Sequence, residues 1–151
     1  MKKTIIVFLG LTLLLVSLPG VMVSACPPGC DGVGTPGYWK NHPKAWPVDV
    51  ITIGGIDYSK ADAIAWIKTP EKGDKTLTLF RALVAAKLNV TNGCGCPGIV
   101  NNVIPPADDW MAEHPVGSGI HGSDAPWQLG EKLYLKLDGY NNGEWCAPAR
   151  D

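Results

Sequence analysis

Apolar positions along this chain fall into short patterned runs separated by Gly and Pro. The most regular run is Lys75 to Leu88. Leu77, Phe80, Leu83 and Val84, then Lys87 and Leu88, recur every three to four residues, with Ala82, Ala85 and Ala86 between them. That spacing predicts a helix capped by Asp74 and stopped at Asn92-Gly93, with alanines that let a neighbour approach closely. It is the expected core helix. Upstream, Val50-Ile51-Thr52-Ile53, Gly54-Gly55 and Ile56-Asp57-Tyr58 read as a β-hairpin, because both glycines can take positive φ. A ribbon this short must pack on helices to persist. Ser59, with Asp62 three residues on, predicts the start of a helix that runs through Lys68 and ends at Thr69-Pro70. Ala63, Ile64, Trp66 and Ile67 form its apolar face. Two more helices are expected: Pro105 to Glu113, carrying Trp110 and Met111, and Pro126 to Leu137, capped by Ser123 with Leu129, Leu133 and Leu137 toward the core. The fold class is therefore mainly α, about four short helices with a small β-hairpin and irregular Gly/Pro-rich loops.

The first residues follow another logic. Lys2 and Lys3 precede a run from Thr4 to Ala25 that carries no charge. Pro19-Gly20 breaks that run, and Val23-Ser24-Ala25 supplies small residues at cleavage positions, so residues 1–25 read as a signal peptide. Residues 26–34 read as a Gly/Pro-rich tether, and 35–151 as one compact domain. Val23-Ser24-Ala25-Cys26 also resembles a lipobox, after which Cys26 would be the acylated first residue. Cysteine parity agrees with it: of five cysteines, lipidation of Cys26 leaves an even four, Cys30, Cys94, Cys96 and Cys146. Cys94 and Cys96 are too close to bond each other without strain. Pairing outward leaves either Cys30–Cys94 with Cys96–Cys146, or Cys30–Cys96 with Cys94–Cys146. Both pairings pin the two ends of the domain to its middle.

Composition narrows the function class more than it names one. Beyond residue 25 lie eleven Lys and Arg against fourteen Asp and Glu, a net charge of −3. Such a surface, lacking basic runs, offers no counterion-release drive toward nucleic acid. No nucleophile-elbow, zinc-protease or phosphate-cradling motif occurs. The cysteine spacing does not suit a metal, and no cofactor is expected. His42 and His114 each precede Pro in turns; His121, near Ser118, Ser123 and Asp124, is the histidine whose loop has an active-site composition. Asp108, Asp109 and Glu113 offer carboxylates, but adjacent acids at a helix start are explained by the helix dipole. Asn89-Val90-Thr91 is a glycosylation sequon at a helix end. The reading is of a protein without catalysis.

Gly34 to Pro47 is the densest stretch: Tyr38, Trp39 and Trp46 alternate with Pro36, Pro43 and Pro47 and with Lys40, Asn41, His42 and Lys44. Each Pro pushes Thr35, His42 and Trp46 toward extended backbone and leaves space for at most one helical turn, Gly37 to Asn41. Two readings stay open. The rings are an aromatic anchor packed against the Lys75–Leu88 helix, or they are a ligand surface that stacks on a sugar, joined then by Trp127, Tyr140 and Trp145.

G-Y-W-K-N-H-P-K-A-W-P, I-T-I-G-G-I-D-Y-S, L-V-A-A-K-L-N-V-T-N-G and L-D-G-Y-N-N-G-E-W-C occur in that order over nearly the whole chain after residue 25. This set resembles a family of secreted bacterial and archaeal surface proteins with a G-Y-W-K-N-H-P opening and an A-A-K-L-N segment. The resemblance implies an extracytoplasmic, often envelope-attached protein and transfers no catalytic residues. The expected role is a secreted, lipid-anchored envelope or matrix protein, with a carbohydrate-binding module as the alternative. Its expected partners are other envelope components or a polysaccharide, and its only membrane contact the lipid anchor.

Overall fold

The computed structural model describes residues 27–150. The expected export segment, and Cys26 with its proposed acylation, lie outside the described residues. The elements are α1 (Pro36–Asn41), β1 (Val50–Ile53), β2 (Ile56–Ser59), α2 (Lys60–Lys68), α3 (Lys75–Asn89), α4 (Pro97–Asn102), α5 (Ile104–Glu113) and α6 (Trp127–Asn141). The architecture is mainly helical with one antiparallel hairpin, as the pattern predicts.

α3 is the axis of the core. Leu79, Phe80, Leu83, Val84, Ala85, Ala86 and Leu88 are all without exposure. A helix buried on nearly every side must be enclosed by its neighbours; α1, α2, α5, α6 and β1 all pack on it. Its first turn is held by Asp74, whose carboxylate accepts from the Thr76 N–H at 2.9 Å. Its end passes into a wide turn, Val90–Cys94, where Gly93 takes φ +85°. That is the left-handed stop expected of Asn92-Gly93.

The hairpin also forms as expected. Gly54 and Gly55 have φ +57° and +77°, and Ile53 pairs with Ile56 across them. Ile51 and Ile53 face inward while Thr52 and Val50 face out. Gly54 sits so close to α5 that an added Cβ would meet the Met111 carbonyl carbon at 2.6 Å. Ser59 caps α2 through the Asp62 N–H at 3.2 Å.

Five expectations need correction. Residues 30–34 are not a tether: Cys30 is disulfide-bonded, Val33 is buried, and Val33 pairs in parallel with Ala149. A Gly/Pro-rich composition marks turns, and turns can be held by backbone pairing as well as left loose. Leu129 is 57% exposed, whereas Trp127, Gly130, Leu133, Leu137 and Tyr140 carry the buried face of α6. The buried stripe starts one residue out of phase with Leu129, because Gly130 is the position that lies against Trp110 and Trp127. Ser123 does not cap α6, which begins after Pro126; Asp124 instead accepts from the His121 N–H at 2.7 Å and closes a preceding turn. α4, for which the sequence pattern predicts no element, forms with Pro97 in its first turn and Ile99 buried. Finally, Asp108 is not in the first turn of α5, which starts at Ile104. It pairs with Lys87 and accepts from the Gly54 N–H at 2.9 Å, locking the hairpin tip to α3 and α5.

Candidate functional site

The stretch from Thr35 to Pro47 folds as one short helix and one further turn, Pro43–Ala45. Thr35, extended before Pro36, caps α1 by accepting from the Tyr38 N–H at 3.1 Å. Trp46, before Pro47, is extended too. Both tryptophans turn inward, Trp39 with no exposure and Trp46 with 7%. A buried indole N–H needs an acceptor. Trp46 Nε1 donates to the Trp39 carbonyl at 2.8 Å, and Trp39 Nε1 donates to Asn89 Oδ1 at 3.1 Å. The two rings are an anchor. Tyr38 is half-buried, stacked on His42 at 4.3 Å between centroids and overlain by the Arg150 guanidinium. Asn41, His42 and Lys44 are exposed on a shallow cavity of about 330 Å³, and Lys40 is half-buried. The corner thus hides its rings and displays its polar residues.

Asn89 is the partner that sequence reasoning misread. It is fully buried. Its Oδ1 accepts from the Gly34 N–H at 2.7 Å as well as from Trp39, and its amide donates to the Gly34 carbonyl and to Asn141 Oδ1, each at 2.9 Å. Asn141 in turn donates to the Ala82 carbonyl at 2.9 Å. All four hydrogen-bonding capacities of the Asn89 side chain are used. A glycan on Asn89 is therefore incompatible with this fold, since the amide nitrogen it would occupy is enclosed and engaged. The sequon is a purely local sequence pattern, and burial overrides it. A signal was present: Asn89 follows Ala85 and Ala86 by four and three residues, a polar side chain in phase with the small-residue face of α3.

The cysteines pair as Cys30–Cys94 and Cys96–Cys146, one of the two connectivities left open. Tyr140 is buried beside the loop and donates its hydroxyl to the Cys94 carbonyl at 2.9 Å; burial raises its pKa above the ordinary tyrosine value. Next to the second bridge, Trp145 is 41% exposed, unlike Trp39, Trp46, Trp110 and Trp127. It lines an open cleft of about 570 Å³ with Cys96, Pro97, Gly98, Glu144 and Cys146. Of the six rings considered for a sugar-stacking surface, Trp39, Trp46, Trp127 and Tyr140 are buried, Tyr38 is covered, and Trp145 stands apart from them. They do not form a shared platform.

His121 is exposed, and the Asp124 carboxylate is bound to its backbone N–H, with the Ser123 hydroxyl 3.5 Å away. Gly117 and Gly119 N–H groups are held by Thr76 and Asp74, so the loop is fastened to the start of α3. Asp109 and Glu113 are exposed on α5, and Asp108 is committed to Lys87 and Gly54. Among the described residues no group of three or more His, Cys, Asp or Glu is placed to hold a metal, and no helix is long and apolar enough to cross a membrane. Compared with known proteins, the chain matches no family model, no curated protein and no solved structure.

Proposed function

We propose that this protein is an exported, envelope- or matrix-associated module with a structural and interaction role rather than a catalytic one, carried at the surface through an acylated Cys26. The observation that bears most weight is the pairing of four cysteines into two bridges. Bridges of this kind persist in oxidising compartments, where small chains use them in place of a larger core. The positions of the motif residues support the same reading. Trp39 of G-Y-W-K-N-H-P, Asn89 of A-A-K-L-N and Asn141 of L-D-G-Y-N-N-G meet in one buried hydrogen-bond network. Residues spent on holding a scaffold are accounted for without a reaction.

Intact-mass measurement on protein recovered from the envelope and culture fluid of the producing cell tests this. The expected species begins at Cys26, carries the mass of an acyl modification, and lacks four hydrogens for two bridges. A chain that keeps residues 1–25 in the cytoplasm, with all thiols free, would overturn the proposal. Cleavage without an added acyl mass would leave export standing and remove the anchor.

A further inference from the structure

The cleft beside Trp145 differs in kind from the rest of the surface. Trp145 and Glu144 follow the C-terminal end of α6, and both reach back over Gly139 in its last turn. A Cβ placed on Gly139 would stand 2.9 Å from Glu144 Oε2 and 3.4 Å from Trp145 Nε1. The opposite edge of the indole lies over Gly98, where an added Cβ would meet Trp145 Cζ3 at 3.3 Å. Two glycines thus give the ring its seat, from α6 on one side to α4 on the other. The Cys96–Cys146 bridge fixes these two sides to each other. The cleft is preorganised, and its volume of about 570 Å³ suits a small ligand.

Its electrostatics have one sign. The face of an indole is the negative part of its quadrupole and attracts cations. Glu144 adds a carboxylate, and no ion pair joins it to any described residue. The end of a fifteen-residue helix adds partial negative charge. None of the six lining residues is basic. A neutral sugar would require several converging donors and acceptors, whereas Pro97 lacks an N–H, Gly98 has no side chain, and the cysteines are bonded to each other. A cation needs only charge and an aromatic face.

We propose that this cleft binds an organic cation, an alkylammonium or quaternary ammonium group, with Trp145 as its aromatic wall and Glu144 as its counter-ion. The assignment does not depend on where the protein resides. The test is a titration of the disulfide-bonded, isotope-labelled protein with tetramethylammonium chloride at constant ionic strength, following the indole N–H resonances. Neutral 3,3-dimethylbutan-1-ol, whose tert-butyl group has the shape of a trimethylammonium group without its charge, and glucose oligomers serve as comparison ligands. The expected result is a saturable shift confined to the Trp145 signal, produced by the ammonium and not by the neutral compounds. Glu144→Gln, an isosteric change at an exposed position, should weaken binding about threefold or more, and Trp145→Leu should abolish it. Equal binding of the neutral alcohol, a response to the glucose oligomers alone, or unchanged affinity in Glu144→Gln would each overturn the proposal. Should Trp145→Leu fail to fold, the Glu144→Gln titration still decides.

Discussion

The segment Thr35–Pro47 and the segment Gly143–Pro148 draw on similar parts: tryptophan, proline and charged side chains, several in the first and one of each in the second. They are used in opposite ways. In the first, two indoles are buried and the polar side chains of Asn41, His42 and Lys44 face water. In the second, the indole of Trp145 faces outward and Cys146 is buried beside it. Hydrogen bonding accompanies the burial. Trp39 and Trp46 each have an acceptor inside the protein, Asn89 and the Trp39 carbonyl, and Trp110 has the Pro126 carbonyl at 3.0 Å. A fully enclosed indole N–H without an acceptor would be left unsatisfied at about 1–3 kcal/mol. Trp content by itself says nothing about which of the two uses a segment serves.

The comparison can be broken most strongly at the bridges that hold both segments in place. They link residues 64 and 50 positions apart, and each should contribute about 4 kcal/mol by constraining the unfolded chain. Verified reduction should lower the thermal midpoint substantially; an unchanged midpoint would mean the core alone holds the ends. Next in size, Asn89→Leu should cost about 3–5 kcal/mol, because it strands the Trp39 indole, both backbone groups of Gly34 and Asn141 Oδ1. Denaturant unfolding measures this, and a loss below about 1 kcal/mol would refute the network. Trp39→Ala should likewise cost about 3–5 kcal/mol, whereas Trp145→Ala should cost about 1 kcal/mol or less. Similar losses for the two would erase the distinction between anchor and exposed ring. At the small end of the scale with Trp145→Ala, Tyr140→Phe should cost about 1 kcal/mol at neutral pH through the lost bond to Cys94.

Tyr140 also sets a pH dependence. Burial raises its folded-state pKa above the ordinary 10.0, so the unfolded chain loses this proton first as pH rises. The stabilisation is complete below pH 10.0 and declines above it as the unfolded tyrosine ionises. Half-buried Tyr58 and Tyr134 are shifted in the same direction. Stability measured from pH 9 to 12 should fall less steeply in Tyr140→Phe than in the parent.

Local chemistry made much of this fold legible. The Ser59 and Asp74 caps, the Gly54-Gly55 turn, the Gly93 stop and the apolar period of α3 are each set by residues within four positions of one another, and each forms as expected. What misled was any residue whose partner is distant. Asn89 looks like a sequon until Gly34 and Trp39, fifty-five and fifty residues earlier, are brought to it. Asp108 looks like a dipole acid until Lys87 and Gly54 arrive. Leu129 looks like core because nothing local reveals that α6 turns Trp127 and Gly130 inward instead. The cleft beside Trp145 is illegible in the sequence for the same reason, since its walls come from the start of α4, from the segment after α6 and from the bridge between them.

By itself the sequence determined the hairpin, the helices α2, α3, α5 and α6, and the Ser59 and Asp74 caps, because backbone conformation and hydrophobic period are short-range properties. Only the tertiary structure decided which cysteines pair, which tryptophans are buried and what Asn89 does. Those outcomes depend on which hydrogen-bond acceptors and sulfur atoms are brought together across the chain, and residue spacing alone does not encode that.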